Sequence, residues 1–200
     1  MIAFALITIV GYLLGSIPFG YILIRVFRGA DIRKSGSGNI GATNVARSSP
    51  ALGILTLALD ALKGLLAVGL SLLLFPGQNV LAESAALAAM LGHMFPIWLD
   101  FHGGKGVATG LGAFVLLAPK AILLTIAVFV VVAAATRYIS LASIVSAAAL
   151  PFLVWVLGSP RGAPLIVCGA AGALLIIVRH HANIGRLFSR QEPRLQWRRQ

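Results

Sequence analysis

VATGLGAFVLLAPKAILLTIAVFVVVAAA, residues 107–135, is the stretch on which the fold turns. It reads as one long kinked helix or as two helices meeting at Pro119-Lys120. The rest of the chain narrows the choice. Of its 200 residues, 59% are hydrophobic and 10% charged, whereas a soluble domain carries about 25% charged residues. Mean hydropathy is +0.97. This is the composition of an integral membrane protein, expected as a single domain over residues 1–200 with a basic tail from about residue 188. Apolar segments lie near 2–24, 52–75, 81–99, 107–117, 121–135, 138–157 and 163–178. A membrane span takes about 20 residues, with about 17 at the lower end. Only 107–117 is clearly short if it stands alone.

Lysine and arginine decide between the two readings, because the cytoplasmic flanks of membrane helices carry an excess of them. Take two helices in 107–135, with the polar stretch after the first span inside. The cytoplasmic side then holds Arg25, Arg28, Arg33, Lys34, Arg47, Lys105, Arg137, Arg179, Arg186, Arg190, Arg194, Arg198 and Arg199, and the outer side only Lys120 and Arg161. A single helix moves Arg137 and the tail outside and Arg161 inside, leaving seven on each side. The expected architecture is an all-α polytopic membrane protein. It has seven transmembrane helices, its N-terminus outside and its C-terminus cytoplasmic, with Pro119 opening a short outer turn. The first span meets Arg25 and Arg28 rather than a small-residue cleavage site, so it reads as a retained helix. Gly11, Gly15, Ser16 and Gly20, and later Gly169 and Gly172, have the small-residue spacing of closely approaching helices. Pro18 and Pro96 are expected to kink their helices. Cys168 lies alone in an apolar run and reads as a small core residue.

The net charge of +11 suits anionic headgroups or anionic substrates at a membrane. Nucleic acid is not an expected partner, because the basic residues are not interleaved with aromatics on one face. The two-helix topology gathers the polar clusters on one membrane face. The longest is DIRKSGSGNIGATNVAR, residues 31–47. Its glycines let backbone N–H groups converge on an anion, and its hydroxyls, amides and Arg47 add side-chain donors. By composition alone it is a phosphate-binding loop or a solvated connector. The second is DFHGGKGVATG, residues 100–110, a glycine-rich turn feeding a helix N-terminus, with Lys105 as a point charge. Gly106 follows Lys105 where a Walker A motif has Ser or Thr, so ATP with magnesium is not implied.

Asp60 and Lys63 share one face of the second span at i, i+3, deep enough that they must pair or face water. An ion pair locking helices is the preferred reading, with direct catalysis by Asp60 as the sharper one. His93, His102, His180 and His181 show no metal-ligand spacing, so no metal site and no cofactor are expected. None has Asp five residues on, which excludes acyltransferases of the His-x-x-x-x-Asp type. A transporter for an anionic solute is the rival class. It would place its site near the midplane within inverted repeats, and no such repeat is found here.

Six stretches carry a resemblance, in order and over nearly the whole chain. They are GSIPFG (15–20), DIRKSGSGNIGATNVAR (31–47), LDALKG (59–64), GHMFPIWLDFHGGKGVATGLG (92–112), RYISLASI (137–144) and RHHANIGRL (179–187). Together they resemble the acyl-phosphate-dependent glycerol-3-phosphate acyltransferases, the PlsY family. The resemblance implies a seven-helix enzyme of the bacterial cytoplasmic (inner) membrane with its active site on the cytoplasmic face. It implies acyl transfer from acyl-phosphate to the 1-hydroxyl of sn-glycerol 3-phosphate, giving lysophosphatidic acid and phosphate. The expected partners are these two substrates and membrane lipid, with functional coupling to the enzyme that supplies acyl-phosphate.

Because acyl-phosphate has a good leaving group, no residue is expected as nucleophile or base, and a substrate phosphate takes the hydroxyl proton. Ser37, Asn39, Arg47 and Lys105, with the N–H groups of Gly103, Gly104 and Gly106, are assigned to phosphate binding. Ser143, His180 and Asn183 match positions the family uses around the same site. Gly36, Gly38, Gly41, Thr43 and Asn44 are expected to shape the loop and Glu192 to hold the tail. Asp60, Lys63 and His93 are expected to support the site. One departure is visible. The family's usual Gly-Thr-Glu is here Arg190-Gln191-Glu192, so a glycine turn is expected to be lost.

Overall fold

The computed structural model describes residues 1–158 and 162–195. Arg161, Arg198 and Arg199, counted in the charge balance above, lie outside the described residues. Among those residues the fold is helical, with ten α-helices and two short 3-10 turns. The chain divides into two units, residues 1–117 and 118–200.

The first unit starts with α1 (Ile2–Ser16) and α2 (Phe19–Arg28). The first span is therefore bent rather than continuous. Proline forces the residue before it out of helical backbone, and Ile17 is extended at φ −62°, ψ 116°. After a 3-10 turn at Ile32–Lys34 come α3 (Ala42–Ser48) and α4 (Pro50–Leu74), then α5 (Asn79–Met94) and α6 (Val107–Leu117). Pro96 does not kink a helix, as the sequence suggested. α5 ends at Met94, and Pro96 opens the 3-10 turn Ile97–Leu99.

Close approach of backbones holds this unit together. A side chain on Gly15 would run into the backbone of Ala89, and one on Gly92 into the Tyr12 carbonyl. The register rises together, Gly11 against Ala85, Gly15 against Ala89 and Gly92 against Ser16, so α1 and α5 run parallel. Gly64 and Gly112 serve α4 and α6 in the same way, meeting Thr109 and Ala61. Such contacts suit helices in lipid, where dispersion between closely fitted surfaces replaces the hydrophobic effect. Tyr12 donates to the Phe95 carbonyl at 2.7 Å and Trp98 to the Ser16 hydroxyl at 2.9 Å, tying the chain after α5 back to α1.

The second unit holds α7 (Pro119–Thr136), α8 (Ile139–Val156), α9 (Gly162–Arg179) and α10 (His181–Phe188). Residues 107–135 thus form two helices, not one. Ala118 leaves helical backbone at φ −146°, ψ 64°, and Pro119 starts α7, where its missing N–H costs nothing. Leu150, Val154, Leu165, Cys168 and Ile176 are buried in this unit, with Gly169 against Pro151.

Among the described residues, six segments are long and apolar enough to cross a membrane: Ile2–Arg28, Pro50–Leu74, Asn79–Leu99, Pro119–Thr136, Ile139–Val156 and Gly162–Arg179. α6 is the seventh apolar helix. Its 11 residues reach only about 16 Å, roughly half of a hydrocarbon core of about 30 Å. Large apolar side chains such as Leu73, Leu123, Phe152, Val167 and Leu174 face outward, as in a chain surrounded by lipid.

Candidate functional site

The polar loop is built around Asn44. This side chain stands on α3 and is 3% exposed. Its Nδ2 donates to the carbonyls of Asn39 (2.8 Å), Ser35 (3.0 Å) and Ile32 (3.3 Å), and its Oδ1 accepts the Ser37 N–H at 2.9 Å. One amide therefore draws four points of the loop together. Gly36 passes over it with φ +58°, and any side chain there would strike Oδ1. That position needs glycine both for its backbone and for the space. Asn39 fixes a tighter turn by accepting the Gly41 N–H at 2.8 Å, so its Oδ1 is committed to the loop and Nδ2 is its remaining donor. Ser37, Thr43 and Arg47 are exposed. Arg33 clamps Asp31 through Nη2 at 2.8 Å, which holds the Asp31 carboxyl down at about 2.

The loop and the glycine turn lie against one another. Ile32, Ile40 and Val45 share a buried cluster with Ile24 of α2 and with Leu99, the residue before Asp100. The Asp100 charge also reaches the Arg33 guanidinium and helps to raise its pKa, after the larger influence of Asp31.

The turn itself corrects part of the sequence reading. The Gly103 N–H donates to the Met94 carbonyl (3.1 Å) and the Gly104 N–H to the His93 carbonyl (3.0 Å). Both donors are used in seating the turn on the end of α5 and are not offered to a phosphate. The first bond of α6 runs from the Gly110 N–H to the Gly106 carbonyl at 2.7 Å. The opening N–H groups of α6 thus have no partner inside the helix, which is the ordinary condition of a helix start. Lys105 is partly buried beside them.

Beneath this turn Asp60, Lys63 and His93 meet in the interior. Lys63 Nζ lies 2.8 Å from Asp60 Oδ1, as an ion pair rather than an aligned hydrogen bond. It also lies 2.9 Å from His93 Nδ1 and 2.8 Å from the Ile17 carbonyl, which accepts the Phe19 N–H as well. All three side chains are 2–4% exposed. Asp60 and Lys63 thus pair within α4 itself.

Ser143, His180, Asn183 and Glu192 belong to the second unit. The Ser143 hydroxyl donates to the Ile139 carbonyl at 2.9 Å. His180 is 2% exposed and places Nδ1 2.8 Å from the Ile176 carbonyl. A carbonyl can only accept, so Nδ1 carries the proton and Nε2 is the acceptor nitrogen of the neutral ring. Asn183 Nδ2 donates to Glu192 Oε1 at 2.6 Å, and Arg186 Nε to Oε2 at 2.7 Å. Burial alone would raise the Glu192 carboxyl. Ser140 stands near it without full hydrogen-bond geometry, and together with Asn183 and the charged Arg186 it holds that pKa below the ordinary value. The expected loss of a turn at 190 is overturned. Arg190 takes the left-handed backbone itself at φ +60°, and Glu192 still reaches its partners. Sequence reasoning had also left the bond between Lys63 and His93 unseen, because 30 residues separate them.

A family model described as glycerol-3-phosphate acyltransferase matches residues 5–190. The chain belongs to the glycerol-3-phosphate acyltransferase family. It is an acyltransferase. A family protein of Syntrophotalea carbinolica is 44% identical over 198 residues, covering 98% of this chain and 100% of that one. One of Sinorhizobium medicae is 48% identical over 187 residues, covering 92% and 89%. The chain is also similar to two crystal structures of PlsY (YgiH), an integral membrane glycerol 3-phosphate acyltransferase. The glycerol 3-phosphate form gives a TM-score of 0.91 at 36% identity, covering 96% of both chains. The lysophosphatidic acid form gives 0.88 at 35% identity, covering 96% of this chain and 95% of that one.

Proposed function

We propose that this acyltransferase moves a fatty acyl group from acyl-phosphate to the 1-hydroxyl of sn-glycerol 3-phosphate. The hydroxyl oxygen bonds to the acyl carbon, the acyl–phosphate C–O bond breaks, and phosphate leaves with the electron pair. The hydroxyl proton passes to a phosphate oxygen, so no acyl-enzyme forms. Lysophosphatidic acid and phosphate are the products, in the first acylation of phospholipid synthesis. The observation that carries this reading is that the two PlsY forms hold an acceptor and its acylated product, the two ends of one acylation. Two anion-binding walls suit two phosphorylated substrates, and holding them together supplies most of what an activated donor needs.

On this reading Ser37, Asn39 Nδ2, Arg47, Lys105, Gly106 and the start of α6 hold phosphate. The enzyme sits in the bacterial inner membrane with seven helices, its N-terminus outside and its site facing the cytoplasm. There it draws acyl-phosphate from a functionally coupled enzyme. Purified protein in detergent, given acyl-phosphate and glycerol 3-phosphate without added metal, should form lysophosphatidic acid and phosphate in equal amounts. Failure with acyl-phosphate but turnover with acyl-CoA would refute the donor.

A further inference from the structure

The buried Asp60–Lys63–His93 group is not part of the exposed polar walls, and charges inside a membrane helix are costly to keep. As a source of stability it is a poor investment, since replacing both partners of a buried ion pair by apolar residues is often neutral. Its geometry suggests another use. His93 Nδ1 lies 2.9 Å from Lys63 Nζ and, farther off, 3.6 Å from Asp60 Oδ1; with Lys63 an ammonium, which donates and never accepts, Nδ1 is the acceptor of the shorter contact. The neutral ring then carries its proton on Nε2. That end of the ring abuts Gly104, where a side-chain carbon would fall on top of Nε2. The carbonyls of His93 and Met94 meanwhile take the N–H groups of Gly104 and Gly103. Met94 also fills the space beside Gly106. The turn that presents Lys105 is therefore seated on His93 through both ring and backbone, and the ring is held by Lys63.

We infer that Asp60, Lys63 and His93 are a positioning triad for Lys105, in which the ion pair orients the histidine ring and the ring seats the turn. This rests on the reading of Lys105 as a phosphate ligand. Asp60→Leu with Lys63→Met removes both charges, so neither is left buried alone. Hydrogen exchange of the purified protein then compares amides 103–106 with amides 36–41. The expected result is roughly tenfold faster exchange at 103–106 with 36–41 unchanged. A loss of about tenfold in kcat/KM for lysophosphatidic acid formation should accompany it. Gly104→Ala disturbs the same seat without touching the ion pair and should reproduce both effects. Unchanged exchange at 103–106, an equal rise in both segments, a loosened turn with full activity, or loss of folding in both variants overturns the inference. Failure of the wild type to make lysophosphatidic acid sinks the acyltransfer reading instead, and the exchange comparison still decides the seating.

Discussion

Replacing Asn44 by alanine should open the polar loop while leaving the helices intact. The amide makes four contacts, but its two N–H groups serve three carbonyls, and the 3.3 Å approach to Ile32 is the weakest. That leaves about three full hydrogen bonds, worth about 1 kcal/mol each net. Water can reach part of the loop and solvate the freed carbonyls, which reduces the loss to about 2 kcal/mol. At 1.4 kcal/mol per factor of ten, the open fraction of the loop rises roughly 30-fold. Hydrogen exchange at the Ser37 and Gly41 amides should accelerate by about that factor, while amides in α5 keep their protection. Asn44→Asp keeps the acceptor for Ser37 but sets a carboxylate against three carbonyls, so it should be at least as damaging. Exchange at Ser37 unchanged in Asn44→Ala would refute the idea that this side chain organises the loop.

Lys105→Ala should lower kcat/KM for glycerol 3-phosphate or acyl-phosphate by about a hundredfold with the melting temperature little changed, and unaltered kinetics would remove Lys105 from the site. Arg190→Gly should stabilise the tail by about 1 kcal/mol, because glycine takes the left-handed backbone without the clash arginine suffers; slower proteolysis at the C-terminal segment is the measurement. Glu192 has a lowered folded pKa, so its stabilisation is fully present above the ordinary glutamate value of about 4.3 and is lost as pH falls through the lower folded value. Tail protection should therefore persist at pH 5 and fail below pH 4 (about these values), and in Glu192→Gln that pH step should disappear.

Charge made the break between α6 and α7 legible, because the two-helix reading puts basic residues on one side and Pro119 supplies a start for α7. The resemblance supplied the two polar walls residue by residue. What the sequence could not show was which donors the fold would consume. Gly103 and Gly104 have the composition of an anion nest, yet their N–H groups close onto α5. Pro96 marked a disturbance without saying that the helix would stop. Arg190 was misread because loss of glycine was equated with loss of the turn, when a residue can pay a modest strain and keep the conformation. The Lys63–His93 contact joins helices that no local periodicity relates.

Lys63 also has a bearing on how the protein is assembled. It enters the membrane on α4 after α1, whose Ile17 carbonyl is already in place to receive it, but before His93 on α5 has been made. Until then the ammonium has Asp60, the Ile17 carbonyl and the Phe19 ring, and no imidazole to take its third hydrogen. α4 released into lipid at that stage would carry a buried ammonium one strong acceptor short of its final set. The arrival of α5 completes the shell, making insertion of the first unit a stepwise closure around one lysine.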